Sequence, residues 1–220
     1  MFFLQTLHDK QFFAKLLKCE FFKKSISYPR HLIIEQGVKS DHLTFMLAIQ
    51  ACTIIVESDE CLKEIALEIG YALHSEAVRK SLMFDPFLGN TLVNMYGKCK
   101  KLEDAQNVFD TIRAKDVVTW TTLIGAYTHH GDCELCLALF YRMRAESLVP
   151  DAFTFVHILK ACGNSIGISN KGERIHVEVI YEGFVVGKDP FVGIAVLDMY
   201  AKCGAFLKAR QVLDTLWVQN

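Results

Sequence analysis

Two groups of side chains have the types and spacing to do chemistry. His129, His130, Cys133 and Cys136 fall within eight residues around Gly131-Asp132, and a turn leading into a helix could gather such nitrogen and sulfur donors around zinc. His74-Ser75-Glu76, taken with Cys133-Glu134-Leu135-Cys136, supplies the two halves from which nucleobase deamination assembles a zinc-bound water and a carboxylate acid/base. Context argues against both. Position 132 is Asp where the deamination signature needs Pro, and the His-x-Glu half recurs at His176–Glu178. Cys136 takes the place that Ala105 and Ala209 hold in related stretches, where a small side chain faces a partner helix. A thiol-disulfide use of the same Cys-x-x-Cys lacks a strand to sit on. The chain is therefore expected not to be an enzyme, and to need neither metal nor cofactor.

The element carrying those cysteines is Val117–Asp151, a closed helix-turn-helix unit of 35 residues. Trp120, Leu123, Ile124 and Tyr127 recur at helical spacing in its first half. Gly131-Asp132 breaks the pattern, and Leu135, Leu139, Phe140 and Met143 restore it until Pro150, which is expected to end the second helix. Two helices this short cannot bury their apolar faces alone, so the unit requires stacked neighbours.

The rest of the chain supplies them. Gly193–Leu216 matches Gly89–Ile112 at an offset of 104, sharing Met95/Met199, Tyr96/Tyr200, Lys98/Lys202, Cys99/Cys203 and Ala105/Ala209. Another unit appears twice, with Thr44-Phe45 through Ala51-Cys52 answering Thr154-Phe155 through Ala161-Cys162, and Gly70–His74 answering Gly172–His176. About eleven short helices follow from these repeats. The apolar content of 51% and mean hydropathy of +0.22 suit hairpins that bury surface against two neighbours. No apolar run reaches the roughly 18 residues of a membrane span. Cys52, Cys99, Cys162 and Cys203 occupy equivalent repeat positions and are expected to be reduced packing residues.

These units resemble pentatricopeptide repeats of the plant PLS type, in which P, L and S variants alternate. LVNMYGKCKKLEDAQNVFD is similar to the S pattern, VTWTTLIGAY with LVPD to the P pattern, and FTFVHILKACG with GERIH to the L pattern. The resemblance covers about residues 35–220. It sets a register of L at 42–85, S at 86–116, P at 117–151, L at 152–189 and S at 190–220. Residues 1–41 hold a basic, amphipathic start, read either as an organelle transit peptide or as a degenerate P-type repeat. The first L unit is 44 residues long, its surplus lying in the acidic stretch 53–67, where a lengthened loop or second helix is expected.

The resemblance implies an all-α fold, an α-solenoid wound as a right-handed superhelix. It implies a monomer that binds single-stranded organellar RNA, in the mitochondrion or alternatively the chloroplast, and takes part in RNA processing, editing or stability, with other RNA-processing proteins as further partners. It also implies a short form without C-terminal editing (E/DYW) domains. In this family the fifth and last residues of each repeat read one base. Carried over, the pairs are Met46 with Asp85, Asn90 with Asp116, Thr121 with Asp151, Val156 with Asp189, and Ile194 with Asn220. Asn with Asp corresponds to uracil and Thr with Asp to guanine. Met46 and Val156 cannot hydrogen-bond a base edge, and Ile194 departs from the polar residue usual there. Second-position residues Leu43, Phe87, Val118, Phe153 and Phe191 would sandwich the bases; packing at the helix ends is their other reading.

Charge argues the other way. The net charge is −1, with residues 1–41 at +3 and 42–85 at −4, so phosphate attraction contributes little. A scaffold that holds a protein on its concave face stays open, as does a truncated relative without independent RNA specificity.

Overall fold

The computed structural model describes residues 42–58, 62–164, 169–184 and 189–218. The expectations for residues 1–41 and for Asn220 lie outside them. Among the described residues the chain is all-α. Ten α-helices run as α1 His42–Ser58, α2 Lys63–Arg79, α3 Pro86–Lys98, α4 Leu102–Thr111, α5 Val117–His130, α6 Cys133–Ala145, α7 Ala152–Gly163, α8 Ser169–Tyr181, α9 Pro190–Lys202 and α10 Phe206–Val218, with one 3-10 turn at Leu82–Phe84. No described helix is long and apolar enough to cross a membrane.

The described helices form consecutive hairpins in two compact units that divide between Ala114 and Lys115. In the first unit α3 packs against α1, α2 and α4; in the second, α7 lies between α5 and α9, with α6 and α8 against it. Within each unit first helices thus stack on first helices, as in an α-solenoid. Local chemistry sets each start. Asp85, Asp116, Asp132, Asp151 and Asp189 cap α3, α5, α6, α7 and α9, each carboxylate accepting from a backbone N–H in the first turn. Pro86 and Pro190 take the first helical position, where a missing N–H costs nothing. Gly131, at φ +79°, closes α5 in the left-handed region and turns the chain into α6.

Trp120, Leu123 and Ile124 are buried as their spacing required. Two expectations for the second helix need correction. Leu135 is exposed, and the buried stripe of α6 is Cys133, Cys136, Leu137, Phe140 and Met143 with Leu139 at its edge, a face that periodicity over one short helix does not separate from its neighbour. Nor does Pro150 end α6. The helix stops at Ala145, Ser147 turns the backbone with φ +62°, and Pro150 lies buried beyond it. The surplus of the first L unit lengthens both helices: α1 and α2 each have 17 residues, against 12 in α7.

A repeated contact locks each 44- or 38-residue hairpin onto the one after it. A Cβ on Gly70 would stand 2.5 Å from Met95 Cε, and one on Gly172 would stand 2.5 Å from Met199 Sδ, so both glycines make room for the next hairpin's methionine. Beside them His74 Nδ1 lies 3.0 Å from the Tyr96 hydroxyl, and His176 Nδ1 lies 3.0 Å from that of Tyr200. Desolvation holds both imidazoles below their ordinary range; Lys208 adds to this at His176, while Asp104 partly opposes it at His74. In the second unit the outer helices are tied by Arg144 to Glu178 and Glu182, Lys171 to Glu134 and Lys208 to Glu173. Exposed pairs of this kind fix register more than they add stability.

Two outcomes follow from this packing. Because the unfolded chain protonates free imidazole near 6.5 while the folded chain resists it, the His74 and His176 contribution is complete above that pH and shrinks as pH falls below it. The urea midpoint is expected to drop from pH 7.5 to 5.5, and a His74→Phe/His176→Phe variant is expected to show a smaller drop. A Cβ on Gly163 meets the Met199 Cα at 3.1 Å, where backbone cannot step aside. Gly163→Val should therefore cost about 1–3 kcal/mol, measured by urea denaturation.

Candidate nucleic-acid interface

Four first helices open alike: an aspartate caps α3, α5, α7 and α9, and an apolar residue follows at the second helical position of each. The second-position residues are not core: Phe87 is 69% exposed, Val118 55%, Phe153 69% and Phe191 75%. Leu43 is exposed as well. That excludes helix-end packing, the alternative that the sequence left open for them. In the second unit Val118, Phe153 and Phe191 belong to three helices stacked in order, so apolar faces recur along one edge.

The aspartates have a structural duty that spacing alone did not reveal. Asp85 accepts from Phe87 N at 2.9 Å, Asp116 from Thr119 N at 2.8 Å, Asp151 from Thr154 N at 2.8 Å and Asp189 from Val192 N at 3.2 Å. In each case Oδ1 takes the bond. The Oδ2 atoms of Asp116 and Asp151 accept no hydrogen bond among the described residues. His42 Nε2 lies 3.9 Å from Asp85 Oδ2.

The fifth-position residues differ from one another. Met46 and Val156 are half-buried, and Ile194 is exposed. Asn90 is half-buried, with its Oδ1 enclosed and unbonded. Thr121 is the least accessible, only 8% exposed, and its hydroxyl is engaged by the Thr154 hydroxyl at 2.6 Å. Thr154 in turn donates to Asp151 Oδ1 at 2.7 Å. The pair Thr121 and Asp151 is thereby joined into one hydrogen-bonded chain through a residue that sequence reasoning did not single out. Thr154 was legible as half of a capping box with Asp151; its bond to Thr121, 33 residues away, was not.

The cysteine and histidine group does not converge. His129 and His130 are exposed at the end of α5, while Cys136 Sγ turns inward, 3.5 Å from Thr128 Oγ1 and 3.7 Å from the Ile124 carbonyl oxygen. Cys133 Sγ lies 3.8 Å from Cys162 Sγ. Burial pushes the Cys136 thiol up to about 11, although Thr128 counteracts part of it, and pushes Cys52 up to about 12. Thiols so disposed resist the deprotonation that metal binding needs. No group of three or more metal-capable side chains occurs among the described residues.

Comparison with known proteins agrees with this geometry. The PPR repeat family matches residues 115–164, and the PPR repeat matches residues 90–117. A mitochondrial pentatricopeptide repeat-containing protein of Arabidopsis thaliana is 33% identical over 182 residues, which is 83% of this chain and 16% of the relative. A second mitochondrial one is 35% identical across 70% of this chain and 22% of its own length. A chloroplastic one is 35% identical across 71% of this chain and 25% of its own length. The chain thus spans only about a sixth to a quarter of these relatives. With hairpins stacked on hairpins, an aspartate heading α3, α5, α7 and α9 and these sequence matches, the chain belongs to the pentatricopeptide repeat family.

Proposed function

We propose that this chain binds single-stranded RNA along the N-terminal ends of its first helices, one base per hairpin, and carries out no catalysis itself. The observation that carries this is the recurrence at α5, α7 and α9 of an exposed apolar residue two positions after a capping aspartate. An apolar face exposed at regular spacing gives bases something to stack on, worth about 1–3 kcal/mol per base. A carboxylate oxygen beside it can accept from a base N–H. The site is an organellar one, the mitochondrion first and the chloroplast second, in keeping with the locations in the names of the relatives. Its place there is in RNA processing, editing or stability.

Discrimination falls to two positions. Thr121 with Asp151 takes guanine. Asn90, half-buried with its Oδ1 enclosed, carries amide N–H donors that suit a uracil carbonyl, and the repeat register assigns Asp116 to the same base. Met46 with Asp85, Val156 with Asp189, and Ile194 with Asn220 contribute stacking neighbours and little edge recognition. Near-neutral charge favours the other reading, a surface that holds a protein, and the following measurement separates the two.

Oligouridines of about ten nucleotides carrying one guanine at successive positions are titrated against the full chain by fluorescence anisotropy. One placement is expected to bind about tenfold better than the same placement carrying adenine, in line with 1–3 kcal/mol per well-read base. Thr121→Val is expected to erase that difference and Thr121→Asn to move the preference toward uracil. Equal affinity for all placements, with no effect of either variant, would leave the protein-scaffold reading in possession.

A further inference from the structure

What Thr121 can offer a base is decided by a proton count. Thr154 is fully buried between α5 and α7, and a hydroxyl has one proton while an aspartate carboxylate only accepts. The proton of Thr154 goes to Asp151 Oδ1, 2.7 Å away. Across the 2.6 Å contact between the two threonines, Thr121 must then be the donor. Thr154 Oγ1 also accepts from the Asp151 backbone N–H at 3.3 Å, which leaves its second lone pair for the Thr121 proton. Thr121 is left with lone pairs and no proton, and Asp151 presents Oδ2, which is likewise an acceptor.

A site made of two acceptors selects its base. Guanine alone has two adjacent donors, N1–H and the N2 amino group, on its Watson–Crick edge. Adenine brings the N1 lone pair against an oxygen lone pair. Were the Thr121 proton free, the hydroxyl would turn and donate to adenine N1, and the discrimination would lapse. We propose that Thr154, which touches no base, is the positioning residue that sets the specificity of the Thr121/Asp151 pair, by consuming the Thr121 proton. The next hairpin provides a contrast: its corresponding residues are Val156 and Val192, neither with a hydroxyl, and Asp189 caps α9 through the Val192 N–H alone. No polar relay forms there, in keeping with a hairpin that stacks without reading. The inference rests on the RNA reading above and deepens it.

The test uses the full chain and the oligouridine placement that shows the guanine preference, with guanine or adenine at that position. Thr154→Val keeps the shape and removes the proton acceptor; Thr154→Ser keeps the hydroxyl. The guanine-to-adenine affinity ratio is expected to fall from about tenfold toward unity in Thr154→Val, through tighter adenine binding, and to stay at the wild-type value in Thr154→Ser. Thr154→Ala serves in place of the valine variant should that one not fold by circular dichroism. A ratio unchanged in Thr154→Val but lost in Thr121→Val overturns the role of Thr154 and leaves RNA reading intact. Equal losses in Thr154→Ser and Thr154→Val assign the effect to packing and also overturn it. No guanine preference in the wild-type chain overturns the RNA reading and this inference together.

Discussion

An aspartate carboxylate oxygen accepting a backbone N–H from the first turn of the helix it heads is the interaction on which the rest depends. A helix begins with donors that nothing inside it can satisfy, and here Asp85, Asp116, Asp151 and Asp189 meet that need at the head of α3, α5, α7 and α9. The cap does two things with one side chain. Its Oδ1 starts the helix, worth about 1 kcal/mol, and in Asp116 and Asp151 the other oxygen, the one the proposed RNA reading uses, accepts no hydrogen bond among the described residues. The last residue of one repeat is therefore the first structural commitment of the next, which ties repeat length to the spacing of these carboxylates.

The hairpins cannot keep that spacing alone. Helices of 10 to 17 residues are marginal without tertiary packing, so each first helix is positioned by the ones beside it. The close approach of Met95 to Gly70 and of Met199 to Gly172, with the His–Tyr contacts next to them, repeats the same join in both units. Because the join is made of a methionine filling the space a side chain would occupy, the second helix of one hairpin and the first helix of the next have little freedom to slide. A surface whose polar atoms must match a strand of nucleotides benefits from that rigidity. In the proposed RNA reading, recognition leans on stacking and edge contacts, since a net charge of −1 provides almost no long-range pull on a polyanion.

How far residues disclosed the structure varied with how local the controlling interaction was. Repetition at an offset of 104 and the three- and four-residue spacing of Trp120, Leu123 and Ile124 disclosed the helical fold, because burial of one face follows from period alone. Cys136 was legible as a packing residue from Ala105 and Ala209 at its equivalent places. Pro150 misled because Ser147, with no residue-type signal for a left-handed turn, stops α6 first. Phe153 and its counterparts were ambiguous, since an apolar residue in the first turn of a helix can lie on either side of it. Thr121 was the least legible. Its near burial and the direction of its hydroxyl are set by Thr154, in another hairpin, and no pattern within either helix predicts which of two threonines donates.

The central claim is that guanine is recognised by its two Watson–Crick donors at the acceptors of Thr121 and Asp151, and base analogues test it most directly. In the guanine-containing oligouridine, inosine removes only the N2 amino group, and 7-deazaguanine removes only N7 on the opposite edge. The expected result is about fivefold weaker binding with inosine, the loss of one hydrogen bond of about 1 kcal/mol, and unchanged binding with 7-deazaguanine. Inosine binding as well as guanine, with affinity lost on 7-deazaguanine instead, would contradict it.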